Sequence, residues 1–146
     1  MSRFTDVLLV SPLADGRTWV IQREFGYDVG EEGSGDTIEV PEGFQTDFAS
    51  VPSVAWPLIP RWGKYGKAAI VHDFMYWDQN KTRKESDDIF REAMGVLGVA
   101  SWRRFLMYRA VRLVGGLSWR ANRKRREQGK NRVRPAPSKA DEAKTW

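Results

Sequence analysis

The chain has 146 residues, is 41% hydrophobic and carries a formal net charge of +5, which fits one compact domain with a single core. It contains no cysteine, so disulfides, a thiol nucleophile and cysteine-rich zinc sites are excluded. The N-terminal MSRFTDVLLVSPLADG has too short an apolar run for a signal peptide, and no segment approaches a membrane span, so a chain made and folded in the cytoplasm is expected. Charge is uneven: residues 1–100 hold 10 Lys and Arg against 16 Asp and Glu, a net of −6, whereas residues 101–134 hold 12 against one, a net of +11.

The first fifty residues read as strands. TDVLLV, RTWVIQREF and DTIEV are rich in β-branched and aromatic residues, with alternation clearest around Trp19, Ile21 and Arg23. Asp15-Gly16 marks a hairpin turn between the first two. EEGSGD, Glu31 to Asp36, reads as an exposed loop, with weak anion or metal binding as the alternative. No internal repeat is present.

The next segment, QTDFASVPSVAWPLIPRWG, separates the strands from the helices. Asp47 lies between Phe44 and Phe48, so partial burial and a partner are expected. Either it joins the His72 region described below, or Asp47 and Ser50 make turn and capping hydrogen bonds. Pro52, Trp56, Pro57 and Pro60 suggest a packed apolar arm, with a ligand groove as the alternative.

His72, the only histidine, stands in KAAIVHDFMYW. Lys67 to Trp77 lacks Gly and Pro and is apolar nearly all round, as in a helix buried on several sides. A 3.6-residue period puts Tyr65, Ala68, Ala69, His72 and Tyr76 on one stripe. Asp73 points about 100° away, so His72 and Asp73 each need a partner of their own.

A partner for His72 is offered by Thr82 to Leu97. Thr82 with Glu85 has the capping-box spacing, and Gly98 is a natural stop. Phe90, Ala93, Met94 and Leu97 define the expected buried face. Asp87 lies on its flank and can turn inward, while Asp88 lies nearly opposite. The short link at Asp78 to Lys81 favours antiparallel packing, bringing Asp87 against the imidazole, where a carboxylate fixes the tautomer and stabilises the protonated form. His72 thus has two open readings: a catalytic base, or a buried histidine joining two helices.

A third helix is expected from about Ser101 to Ala121, with Phe105, Tyr108, Val111 and Leu113 on a mixed face and Gly115-Gly116 bending or interrupting it. Beyond it, residues 122–146 read as a basic tail that is flexible or ordered by a partner. Its charge density suits phosphate backbone, anionic lipid or an acidic protein surface. It lacks interleaved aromatics and any groove-reading motif, so sequence-specific nucleic-acid binding is not expected.

Three motifs in order, GFQTDFASVP (Gly43 to Pro52), KAAIVHDFMY (Lys67 to Tyr76) and RKESDDIFREAMGVLGV (Arg83 to Val99), resemble a family of small bacteriophage and prophage proteins catalogued as a domain of unknown function. The resemblance runs from about Phe25 to Trp119. It implies a phage or prophage origin, synthesis in the host cytoplasm, the virion as a second location, and other phage proteins as partners of the basic segment. It supplies no reaction.

A more local pattern, His-Asp-x-x-Tyr on one helix with an Asp on the next, is similar to secreted phospholipase A2. That resemblance implies His72 as a base activating water, Asp73 as a calcium ligand, and Tyr76 and Asp87 as the pair that orients the base. The chain departs from that family in lacking cysteines, in having only WGKYG (Trp62 to Gly66) where a glycine-rich calcium loop would precede the histidine, and in its shorter helix spacing. Weak calcium binding or none is therefore expected.

The expected architecture is α+β: an N-terminal antiparallel sheet, then three helices, in one domain over residues 1–121. Two function classes stand open. One is a hydrolase acting on a phosphoester or lipid ester through His72, Asp87, Tyr76 and Asp47, with Asp73 as metal ligand. The other is a non-catalytic virion, tail or neck component in which the same constellation is structural.

Overall fold

The computed structural model describes residues 4–58 and 65–133. Among them lie β1 (Val10–Pro12), β2 (Trp19–Ile21), β3 (Phe25–Asp28), β4 (Thr37–Val40) and β5 (Gln45–Thr46). A 3-10 helix (Ser53–Leu58) follows, then α1 (Gly66–Asp78), α2 (Arg83–Val96) and α3 (Ser101–Glu127). The α+β class, with antiparallel strands preceding three helices, is the architecture that forms.

The strands divide into two antiparallel sheets, β1-β2-β5 and β3-β4. RTWVIQREF is therefore not one strand. Val20 and Ile21 are both buried, as are Phe25, Gly26 and Tyr27, so neither run keeps the one-in, one-out alternation of a half-buried sheet, and the chain changes sheets at Gln22 to Glu24. TDVLLV contributes only Val10 to β1, leaving Val7 and Leu9 exposed. The Asp15-Gly16 turn does join β1 to β2. The Asp15 carboxylate accepts from the backbone of Arg17 and Thr18 and from the Thr18 hydroxyl, and Gly16 takes a φ of 72° that glycine adopts without strain.

Phe4, Ile21, Phe25, Tyr27, Phe44 and Phe48 from the strand half share one core with Ile70, Val71 and Met75 of α1, Phe90 and Met94 of α2, and Met107 and Val111 of α3. Helix α1 is buried at Ala68 to Asp73 and Met75 to Trp77, as its all-round apolar sequence predicts, and it packs on β4, β5, α2 and α3. Helix α2 starts with the reciprocal Thr82–Glu85 capping box, and Gly98, at φ 82°, follows its end.

Helix α3 departs from expectation twice. It runs unbroken through Gly115-Gly116 and on to Glu127, well past Ala121. Gly115 is buried against Tyr76, and a Cβ there would stand 2.5 Å from the Tyr76 hydroxyl; the glycine permits a close approach rather than a bend. Phe105 and Leu113 face outward, 53% and 77% exposed, while Met107, Val111, Gly115 and Asn122 form the buried side. The start of the expected tail is thus helical. After Gly129 the chain returns to the sheet, where Gln45 N–H donates to Arg132 carbonyl at 2.7 Å and Phe44 bridges Val133. Pro60, Trp62 to Lys64 and residues 134–146 lie outside the described residues, as do the side chain of Trp56 and most of the expected WGKYG loop.

Candidate functional site

The site forms where α1 meets the Thr46–Ser53 segment, α2 and α3. His72 and Asp73 are adjacent in sequence and point in different directions from α1, so two polar chains diverge from one helix. Both residues are fully buried, together with Thr46, Ser50 and Asp87.

The first chain runs through the imidazole. Nε2 lies 2.7 Å from Asp87 Oδ1, and Nδ1 lies 3.0 Å from Ser50 Oγ. Because an ionised carboxylate only accepts, Nε2 carries a proton, and when the ring holds that proton alone Nδ1 accepts from the Ser50 hydroxyl. The ring lies between Tyr76 and Phe90, with centroids 4.3 and 4.5 Å away. Asp87 is held from every side. Tyr76 donates its hydroxyl to Oδ1 at 2.7 Å, Arg112 donates to Oδ2 at 2.8 Å, and the Arg83 guanidinium stands 3.6 Å from Oδ2.

These contacts set the local electrostatics. Burial alone would raise the Asp87 carboxyl, but hydrogen bonds from His72, Tyr76 and Arg112 outweigh it and hold the group below its ordinary value. Burial, then the neighbouring Asp87 carboxylate, pushes the Tyr76 phenol far above the usual tyrosine value, so it stays a donor. The hydrogen bond to Asp87 raises Arg112. Two guanidiniums therefore stand beside Asp87 in addition to the imidazole and the phenol.

The second chain ends on Asp73. Thr46 donates its hydroxyl to Oδ2 at 2.7 Å, Ser50 N–H donates to Oδ1 at 3.3 Å, and Arg132 donates to Oδ2. Arg132 also donates to Gln45 carbonyl at 3.0 Å and lies 5.0 Å over the Phe44 ring. Local sequence explains the placement. From Thr46 to Ser50 the even positions point inward and the odd ones outward, so Thr46, Phe48 and Ser50 face α1 while Asp47 and Ala49 face water. Phe48 adopts φ 61°, a left-handed conformation that costs a bulky residue energy and is held by its burial.

His72, Asp87 and Tyr76 therefore come together, and Asp88 faces solvent, paired with Lys84 and Tyr108. Asp47 does not join them. Its side chain is 46% exposed, lies 3.6 Å from Arg132 and accepts from Ala49 N–H in a local turn, because the outward phase of its position carries it away from the imidazole. Asp73 is adjacent but belongs to the second chain. A guanidinium stands against Asp73 where a cation would bind, and among the described residues there is no group of three or more His, Asp or Glu placed to hold a metal.

Sequence reasoning missed Ser50 as the partner of Nδ1, and Arg112, Arg83, Thr46 and Arg132. The two-residue period of TDFAS was the available signal for Ser50. Arg132 sits in a basic run where no arginine is distinguished from its neighbours.

On the outer side of the same loop an open cleft of about 620 Å³ is lined by Gly16, Arg17, Thr18, Asp47, Ala49, Val51, Pro52, Ser53 and Arg125. Ser50 turns away from it.

Residues 19–111 match the family described as protein of unknown function DUF1353. The chain is similar to the uncharacterized protein y4jT of Sinorhizobium fredii (strain NBRC 101917 / NGR234), with 35% identity over 78 residues. That alignment takes in 52% of this chain but only 23% of the relative, so the matched part is less than a quarter of that longer protein. No solved structure matches. The family match includes all of the Ser50, His72, Asp73, Tyr76 and Asp87 constellation and more than half of the sequence, and the chain belongs to this family of proteins of unknown function.

Proposed function

We propose that the chain is a non-catalytic binding module, an assembly or tail-associated component of the bacteriophage and prophage kind its three motifs resemble, in which the His72 network fixes the fold. The observation that carries this reading is saturation under complete burial. Both imidazole nitrogens, both Asp73 oxygens and both Asp87 oxygens face protein partners, and Ser50, His72, Asp73 and Asp87 have no exposed surface. A base that acts on a bound substrate or water needs a lone pair directed at it. Here the one available lone pair, on Nδ1, is directed at Ser50. The network instead joins four separate parts of the chain: the Thr46–Ser50 loop, α1, α2 and α3.

A second reading rests on that same Nδ1 contact. Asp87, His72 and Ser50 stand in the order of carboxylate, base and hydroxyl nucleophile, and the strained Phe48 neighbours the serine. If the loop opened a path from the adjacent cleft to Ser50 with the Nδ1 contact kept, Oγ would attack an ester or phosphoester, His72 would take the hydroxyl proton and pass it to the departing alcohol, and water would then release the acyl or phosphoryl group from the serine. A fluorophosphonate serine probe and two chromogenic substrates, a p-nitrophenyl ester and a bis-p-nitrophenyl phosphodiester, separate the readings. The binding module is expected to remain unlabelled and to release no more nitrophenol than its Ser50→Ala variant. Labelling or turnover by the wild-type chain that disappears in Ser50→Ala would overturn the non-catalytic reading.

A further inference from the structure

Helix α3 carries two apolar stripes on opposite sides. Met107, Val111 and Gly115 face the core. Trp102, Leu106, Leu113 and Leu117, spaced by four, seven and four residues, face water, with Phe105 beside them. They are 57%, 42%, 77%, 69% and 53% exposed respectively, and from Trp102 to Leu117 they extend about 22 Å at 1.5 Å per residue. Isolated exposed leucines need no explanation, but a continuous stripe of this length does.

Its charge surroundings restrict what can cover it. Between Ser101 and Arg126 there are nine Arg and Lys and no Asp or Glu. Arg109 and Arg120 lie in the stripe itself by helical phase, both exposed, and the Arg109 guanidinium stands 5.9 Å over the Phe105 ring. A second copy related by symmetry would place α3 on α3 and bring these arginines together, with Glu127 at the very end of the helix as its one acidic group against nine cationic ones. A head-to-tail copy would need another apolar patch, and among the described residues the large apolar side chains exposed outside α3 are Val7 and Leu9 alone. What matches an apolar stripe of Trp, Phe and Leu interleaved with arginine is the boundary between anionic headgroups and acyl chains, where apolar side chains enter and arginines remain with the phosphates.

We infer that the outer face of α3 docks the chain on an anionic phospholipid bilayer, lying in the interface rather than crossing it. None of the described helices is long and apolar enough to span a membrane, in keeping with surface attachment. The inference rests on reading the chain as a binding module and names its partner. The serine-probe experiment reports on that reading alone, because Ser50 is buried and outside this face.

The test is flotation of the full-length chain with vesicles of phosphatidylcholine alone or containing 30 mol% phosphatidylglycerol. Binding is expected to the anionic vesicles at about 0.1 M salt, and to fall about tenfold or more on neutral vesicles and in about 0.5 M salt. A variant with Leu113→Glu and Leu117→Glu should lose binding by a similar factor with an unchanged melting curve, since both side chains are exposed. Arg109→Gln with Arg120→Gln should weaken binding only where phosphatidylglycerol is present. No flotation, equal flotation with neutral vesicles, or flotation unaffected by the glutamates overturns the proposal. Self-association in sedimentation equilibrium that the glutamates abolish, without vesicle binding, assigns the face to a second copy. Retention on heparin that ignores the glutamates, again without vesicle binding, assigns it to an acidic macromolecule.

Discussion

Arg132 donates to Asp73 across 59 positions of sequence, placing a fixed cation on the carboxylate that the phospholipase-like pattern would give to calcium. The pair ties the returning C-terminal segment to α1. Arg132 also reaches Gln45 carbonyl, so its loss frees both the strap and a buried charge. Arg132→Gln is expected to destabilise the fold by about 2–3 kcal/mol, somewhat below the usual result of breaking a buried pair because the arginine is 16% exposed and water can reach Asp73. Urea denaturation measures this. A loss under about 0.5 kcal/mol would show that the strap is not anchored there.

The same pair predicts the response to calcium. Isothermal titration of the wild-type chain should give weak binding or none, and Asp73→Asn should not alter it. Tight binding abolished by Asp73→Asn would show that calcium displaces the guanidinium.

How far the site was legible depended on whether its contacts followed from periodicity. The His72–Asp87 pair did, since helical phase turns Asp87 inward and Asp88 outward, and the capping box fixes where α2 begins. Ser50 needed the phase of an irregular segment that no repeating hydrogen-bond pattern marks. Arg132 needed a contact between chain ends, and nothing in the sequence of a basic run indicates which arginine returns to the core. Helix α3 misled because both its sides are apolar: periodicity detects a stripe and not which stripe is covered. Gly115 has the composition of a helix breaker, yet its role is steric.

That role gives a sharp test. In Gly115→Ala the new methyl would stand 2.5 Å from the Tyr76 hydroxyl, and backbone α3 cannot yield without moving Val111. Tyr76 must withdraw from Asp87. A cost of about 1–3 kcal/mol is expected even though alanine favours helix, read as a fall in melting temperature. A stabilised variant would mean that Tyr76 is free to shift and does not hold Asp87.

Removing one member of the buried pair distinguishes charge from shape. Asp87→Asn keeps the volume but leaves Arg112 and Arg83 without their carboxylate, for a cost on the order of 3 kcal/mol. His72→Gln keeps a donor toward Asp87 and a polar contact for Ser50 but loses the ring packed between Tyr76 and Phe90. Under the binding-module reading, function in each variant should follow the folded fraction, in phage complementation or in vesicle flotation. A stably folded His72→Gln that loses function would instead favour catalysis.

The Asp87 network also fixes a dependence on pH. Its carboxyl is depressed in the folded chain, so the unfolded state, with a value of about 3.9, takes up the proton first as pH falls. The stabilisation is complete above the unfolded value, shrinks as pH drops through it, and is gone once pH passes below the folded value. Urea unfolding between about pH 7 and pH 3 should therefore show a steeper acid loss for the wild-type chain than for Asp87→Asn, with the two curves converging at the acid end. Parallel curves would mean that hydrogen bonds from His72, Tyr76 and Arg112 do not favour the ionised carboxylate. Asp87 would then hold the helices together as a neutral acceptor and donor, and the two arginines would have to find their compensation elsewhere.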